Sequence, residues 1–169
     1  KGKYNDQPDS TAEDACTNCA KGKYNDQPGS TTKDACMNCA RGKYNDQLGS
    51  TAEDACTDCA KGKYNDQLGQ DACTDCAKGK YNDQLGSMAE DACTDCAKGK
   101  YNDQLGQDAC KGCARGKYND ELGQNACKGC ARGKYNDQLG QDACTDCARG
   151  KYNDQLGSMA EDACTNCAK

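Results

Sequence analysis

Cys39-Ala40-Arg41-Gly42-Lys43-Tyr44-Asn45-Asp46-Gln47-Leu48-Gly49-Ser50-Thr51-Ala52-Glu53-Asp54-Ala55-Cys56 is one period of a sequence that repeats itself from end to end. The frame is Lys/Arg-Gly-Lys-Tyr-Asn-Asp-Gln/Glu, then a turn, then Ala-Cys-x-x-Cys-Ala. The first cysteine of each pair falls at positions 16, 36, 56, 73, 93, 110, 127, 144 and 164, so successive pairs are 20 or 17 residues apart. Self-similarity at such a period marks a tandem array. Residues 1–169 read as one array of nine repeats. Because it opens and closes at the same point of the repeat, at Lys1 and Lys169, it reads as an excerpt of a longer protein.

The two lengths differ at one place. Long repeats carry Gly49-Ser50-Thr51-Ala52-Glu53-Asp54-Ala55-Cys56 where short ones carry Gly69-Gln70-Asp71-Ala72-Cys73. The insert has the Ser-x-x-Glu pattern of a capping box at Ser10, Ser50, Ser87 and Ser158, which predicts a single helical or 3₁₀ turn. Ser30-Thr31-Thr32-Lys33 lacks the Glu and is expected to cap less well. Gly-Lys-Tyr-Asn suits a short extended segment, and Gln27-Pro28-Gly29-Ser30 is a turn with Gly where φ must be positive. The expected fold class is small disulfide-rich repeats in an elongated array, with short β segments, turns and little regular secondary structure.

The composition explains why cysteine must matter. There is no Val, Ile, Phe or Trp, and the larger apolar side chains are nine Tyr, seven Leu and three Met. Burial contributes about 25 cal/mol per Å², against roughly 1.5 kcal/mol to order each residue. One Tyr and usually one Leu per repeat do not offset that cost, so covalent or metal links must supply the rest. Eighteen cysteines in 169 residues reach the density of a disulfide scaffold.

The net charge of −5 is small and the signs alternate, which excludes a basic stripe for nucleic acid or an anionic membrane. Lys21-Gly22-Lys23 is a basic spot compensated by the acids that follow within a few positions. The longest apolar run, Ala35-Cys36-Met37, is far too short to span a bilayer. No His is present and no nucleophile–base pair can be assembled, so no enzymatic role and no cofactor are expected. Asp6 with the acids before Ala-Cys, such as Asp14, Asp54 and Asp71, lacks calcium-loop spacing and reads as solvated charge.

Three chemistries use Cys-x-x-Cys. Redox catalysis needs a helix N-terminus and a βαβ scaffold, and neither pattern is here. Zinc fits the spacing but pairs knuckles two at a time, whereas every interval here carries the same frame and nine knuckles leave one over. Disulfides suit equivalent intervals. If the second Cys of one pair bonds the first of the next, the bonds are Cys19–Cys36, Cys39–Cys56, Cys59–Cys73, Cys76–Cys93, Cys96–Cys110, Cys113–Cys127, Cys130–Cys144 and Cys147–Cys164, with Cys16 and Cys167 pairing outside the excerpt. Each such loop contributes about 3 kcal/mol on the chain-entropy account. Spacing does not fix connectivity, and a skipped pattern linking alternate pairs is the main rival. Tyr4, Tyr24, Tyr44, Tyr64, Tyr81, Tyr101, Tyr118, Tyr135 and Tyr152 are expected to pack on the adjacent disulfide.

Cys19-Ala20-Lys21-Gly22-Lys23-Tyr24, then Gly29, then Cys36-Met37-Asn38-Cys39 resembles the cysteine-rich repeat of ephrin-receptor-type ectodomains, itself similar to the first loop of tumour-necrosis-factor-receptor modules. The match recurs along the chain. The resemblance implies an extracellular, disulfide-laddered rod in which the cysteine before Gly-x-Tyr closes a loop with the next one. Ala20 departs from the Pro common after the second Cys, which weakens the backbone match and leaves the cysteine frame intact.

Near-identical repeats offer length and many equal contacts. The expected function is a structural extracellular protein forming a rod, filament, stalk or surface coat, with itself or other surface and matrix proteins as partners. The alternatives are a ligand-binding or adhesive region of a receptor-like surface protein, and a tandem zinc module. Mass spectrometry of the unreduced, alkylated chain should return peptides linked Cys39–Cys56 and Cys59–Cys73; alkylated thiols at these positions, or links that skip a pair, would remove the loop-closing pattern.

Overall fold

The computed structural model describes residues 1–8, 12 and 15–167. Ser10 and its capping-box Glu13 lie outside the described residues. Each repeat forms one antiparallel pair of two-residue strands. The Lys-Tyr step pairs with the two residues between the cysteines of the same repeat, as in Lys43↔Asp58 and Tyr44↔Thr57. The same register recurs at Lys23↔Asn38, Lys63↔Asp75, Lys80↔Asp95 and Lys100↔Gly112. An isolated pair this short is not stable alone. In all but the first and last pair, the second strand is clamped between two half-cystines.

The chain divides into two compact units, Lys1–Asp75 with Gln84–Ala92, and Cys76–Asp83 with Cys93–Lys169. In the first, Gly22 and Gly42 donate backbone N–H bonds to the carbonyls of Asn45 and Asn65, at 2.7 and 2.8 Å. Asn25 and Asn45 donate to the carbonyls of Ser50 and Gln70, at 2.9 and 3.1 Å. Gly49 and Gly69 donate back to the carbonyls of Cys19 and Cys39. In the second unit the set is repeated by Gly99 to Asn119, Asn102 to Gln124 and Gly123 to Cys96.

These contacts bring backbones together so closely that some positions admit only glycine. Gly22 has φ +78°, and a Cβ there would collide with the Gly69 carbonyl. Gly99, at φ +77°, stands in the same relation to Gly140. A left-handed backbone with no room for a side chain is where Gly is required.

The interior is sulfur and amide. The buried apolar residues among the described positions are all cysteines, and the largest fully buried side chains include Asn25, Asn45, Asn82, Asn102 and Asn119. Asn45 is representative. Its Nδ2 donates to the Lys23 carbonyl of the preceding repeat at 3.0 Å and to Ser50 Oγ at 2.8 Å, while its Oδ1 accepts the Gln47 N–H at 3.0 Å. The same donation to the preceding Lys carbonyl recurs at Asn25, Asn65, Asn102, Asn119, Asn136 and Asn153. Buried amides persist when their hydrogen bonds are made.

Leucine does not join this interior. Leu48, Leu68, Leu85, Leu105, Leu122, Leu139 and Leu156 are all exposed, so leucine adds nothing to the core beyond the little that composition allowed. The turn residue they occupy projects outward because the chain there follows the hydrogen-bonding needs of the neighbouring Asn and Gly.

The insert does form a 3₁₀ turn, at Lys33–Ala35, Glu53–Ala55, Glu90–Ala92 and Glu161–Ala163. The capping-box reading of it is corrected. The N-cap residues are Thr32, Ala52 and Ala160, with no side-chain cap bond. Ser30, Ser50 and Ser158 instead accept an amide hydrogen bond from Asn25, Asn45 and Asn153. Their hydroxyls are committed inward, so the Lys33 repeat, which lacks the Glu, turns like the others.

Asn45→Ala should cost about 1–3 kcal/mol, because it leaves buried partners unpaired. Leu48→Ala should stay within about 0.5 kcal/mol, as an exposed change. Amide exchange of residues 22–50 in the two variants measures the difference.

Candidate functional site

The structure joins Cys19 to Cys36, Cys39 to Cys56, Cys59 to Cys73, Cys76 to Cys93, Cys96 to Cys110, Cys113 to Cys127, Cys130 to Cys144, and Cys147 to Cys164. Their Cα–Cα distances run from 5.6 to 5.8 Å. Cys16 and Cys167 are free thiols. Four thiolates per ion are therefore not available for zinc, and among the described residues no three His, Cys, Asp or Glu side chains converge on one point. Among the described residues no helix is long and apolar enough to cross a membrane.

Each bond leaves the end of one strand pair and enters the second strand of the next. Beside it stands the tyrosine of the preceding repeat. Tyr44 and Cys73 line one hollow of about 360 Å³ together with Thr57, Asp58, Ala60, Lys63 and Ala72. Tyr81 and Cys110 line a second of about 370 Å³, with Thr94, Lys100 and Leu122 among its walls. Tyr118 and Cys144 line a third of about 230 Å³. The half-cystine that shares these hollows with a tyrosine belongs to the next repeat. Tyr4, Tyr24, Tyr64, Tyr101 and Tyr135 are half-buried, and Tyr152 is exposed.

All three hollows open where the following interval is the 17-residue form. Beside Tyr24, Tyr64 and Tyr135 it is the 20-residue form with a glutamate, and the insert lies beside the tyrosine; Tyr4, followed by a long form with Lys33 in place of the glutamate, lines an open hollow of about 460 Å³ with Ser30 and Thr31. Ser50 makes a parallel bridge to Tyr24, and Ser158 to Tyr135. Burial, and then the charge of Glu53, pushes the Tyr24 phenol above its ordinary pKa. Tyr64 and Tyr135 are raised in the same way by burial and then by Glu90 and Glu161. A glutamate-bearing insert thus sets an acidic turn beside Tyr24, Tyr64 and Tyr135.

A family model, tyrosine-protein kinase ephrin type A/B receptor-like, matches residues 51–93 and 116–164, more than half of the sequence. The chain belongs to this family. No curated protein matches the chain as a relative. Disulfides persist in oxidising compartments. Eight of them in an ephrin-receptor-like array point to an extracellular receptor-like or structural module.

In four of these ephrin-receptor-like repeats the lysine of Gly-Lys-Tyr is answered across the strand pair and not by the acids that follow it in sequence. Lys43 pairs with Asp58 at 2.8 Å, Lys63 with Asp75 at 2.6 Å, Lys80 with Asp95 at 2.9 Å and Lys134 with Asp146 at 2.7 Å. The cause is the register, which sets Lys and Asp directly opposite each other. Three repeats place Asn opposite instead, at Lys3↔Asn18, Lys23↔Asn38 and Lys151↔Asn166, and two more place Gly there. Lys100 and Lys117 face Gly112 and Gly129, and both are exposed. In those repeats Lys111 and Lys128 instead hydrogen-bond Asp103 and Asp120, which lowers the carboxyl pKa values and raises those of the lysines.

The sequence reading placed the chemistry in Cys and Tyr and missed the asparagine and the cross-strand carboxylate. One signal was available: an Asn follows Tyr in all nine repeats.

Glu53→Gln should lower the Tyr24 pKa only partway toward its ordinary value, because burial is the larger cause. NMR titration of the Tyr24 ring carbon in both proteins reads this; a full return to the ordinary value would make the charge, and not burial, the main cause.

Proposed function

We propose that this chain is a non-catalytic structural component of an extracellular surface, serving as a rod, filament, stalk or coat element. One observation carries the reading: within each of the two compact units, successive repeats are tied by the same bond, the same Gly-to-Asn backbone contact and the same buried amide. Such units resist being pulled apart one at a time, since a load passes from repeat to repeat through sulfur. Near-identity of the units supports length and repeated contact as the selected property. Its partners are further copies or other surface and matrix proteins.

A second reading, an adhesive or ligand-binding region, is favoured by the open tyrosine hollows at Tyr44, Tyr81 and Tyr118. The two are compatible, because a stalk can carry contacts along its length.

Small-angle scattering of the oxidised full chain should give a radius of gyration well above the ~15 Å of a compact 169-residue domain, with a rod-like cross-section regime. Reduction should carry it toward the ~43 Å of an unfolded chain. A compact value, or the profile of a flexible coil before reduction, would overturn the structural reading.

A further inference from the structure

We propose that the hollow at Tyr81 is a docking site for an acidic peptide segment of a protein partner, with a Glu-Asp pair carried on a short turn. The inference deepens the adhesive reading by naming the ligand's chemistry, and it stands or falls separately from the rod.

The first ground is what occupies the equivalent space elsewhere. Beside Tyr24, Tyr64 and Tyr135 lies the protein's own insert, a 3₁₀ turn whose glutamate acts on the phenol. Beside Tyr81 the following interval is short: Gln107 and Asp108 lead directly to Ala109-Cys110, and no such turn is present. The result is a hollow of about 370 Å³ walled by Tyr81, Ala97, Ala109, Cys110 and Leu122. The repeat itself therefore displays the kind of group that fits against this tyrosine: a compact Ala-Glu-Asp turn.

The second ground is charge. Three hollows of this type include a lysine, and in two of them it is already neutralised: Lys63 by Asp75 and Lys134 by Asp146. At the Tyr81 hollow the residue opposite Lys100 is Gly112. Lys100 makes no ion pair among the described residues and is exposed, whereas Lys63 and Lys134 are half-buried. The one carboxylate in the lining, Asp95, is held by Lys80 at 2.9 Å. The site thus offers an unanswered ammonium and the Thr94 hydroxyl beside an apolar wall. That combination suits a carboxylate on a short hydrocarbon stem. A sulfated polysaccharide would be recognised by a row of cations without the Leu122 and Ala109 wall, so the acidic peptide is the better match.

Gly112 also supplies the control. Its φ is not in the left-handed region, and a Cβ there meets only ordinary contacts at 3.5 and 3.6 Å from Gly140. Aspartate is tolerated at that position, where it restores the Lys–Asp pair seen in four other repeats.

The test uses the oxidised full chain and a fluorescein-labelled peptide, Ser-Thr-Ala-Glu-Asp-Ala, with blocked ends, read by fluorescence anisotropy at 0.15 M salt. Saturable binding in the millimolar range is expected. The Ser-Thr-Ala-Gln-Asn-Ala peptide should bind at least fivefold more weakly, as should the Lys100→Gln and Gly112→Asp variants with the acidic peptide. Lys134→Gln should bind like the unaltered chain. No saturable binding, or equal binding by the two peptides, would overturn the proposal. So would equal binding by Gly112→Asp, with disulfides intact by mass. If heparin of equal charge concentration binds more tightly and with the same loss in Lys100→Gln, the ligand is a polyanion and the peptide assignment fails. Concentration-dependent dimerisation abolished by Lys100→Gln would replace the outside partner with a second copy and overturn the proposal as stated. Scattering is unaffected by these variants, so the rod reading is judged independently.

Discussion

A sulfur–sulfur bond between the end of one strand pair and the second strand of the next is the constraint on which the rest of this structure depends. Two-residue strands, a 3₁₀ turn of three residues and side chains no bulkier than tyrosine do not hold a chain in place. Cys39–Cys56 and its equivalents do so by removing most of the conformations open to the unfolded interval, about 3 kcal/mol each on the entropic account. Once the ends of an interval are held 5.6 Å apart, the Gly and Asn backbone groups meet their partners at small further entropic cost.

What fills the interior follows from this. With no branched aliphatic or Phe to bury, the space next to the disulfides is taken by asparagine, whose amide can satisfy a carbonyl of the previous repeat, a hydroxyl of its own repeat and a nearby N–H together. Each such group is expensive to bury unpaired and inexpensive when fully bonded. The amides also fix register, because an Asn displaced by one residue finds none of its three partners.

Much of this was legible in the residues. The cysteine frame, the two repeat lengths, the extended Lys-Tyr step, the positive-φ glycine at Gly29 and the turn in the insert all follow from local chemistry. The parts that escaped are non-local. Asn45 reads as the end of a short extended segment until the Lys23 carbonyl, 22 positions earlier, is known to lie against it. Ser50 reads as a cap because its sequence neighbours match one, but the nearby amide claims its hydroxyl first. Leu48 stays exposed, because the core here has no aliphatic surface for it to join. The hollows at Tyr44, Tyr81 and Tyr118 are closed on one side by a cysteine of the next repeat, which no single repeat discloses.

The close approach of Gly22 to Gly69 and of Gly99 to Gly140 has a consequence for heredity as well as for packing. In each case the contact reaches two units ahead, and the glycine it meets is present in long and short units alike. A gene that gains or drops a whole unit by unequal crossing-over presents the same atoms to one another afterwards. Copy number is then free to drift or be selected without new compensating substitutions, while a single base change that turns one of these glycines into alanine is not tolerated.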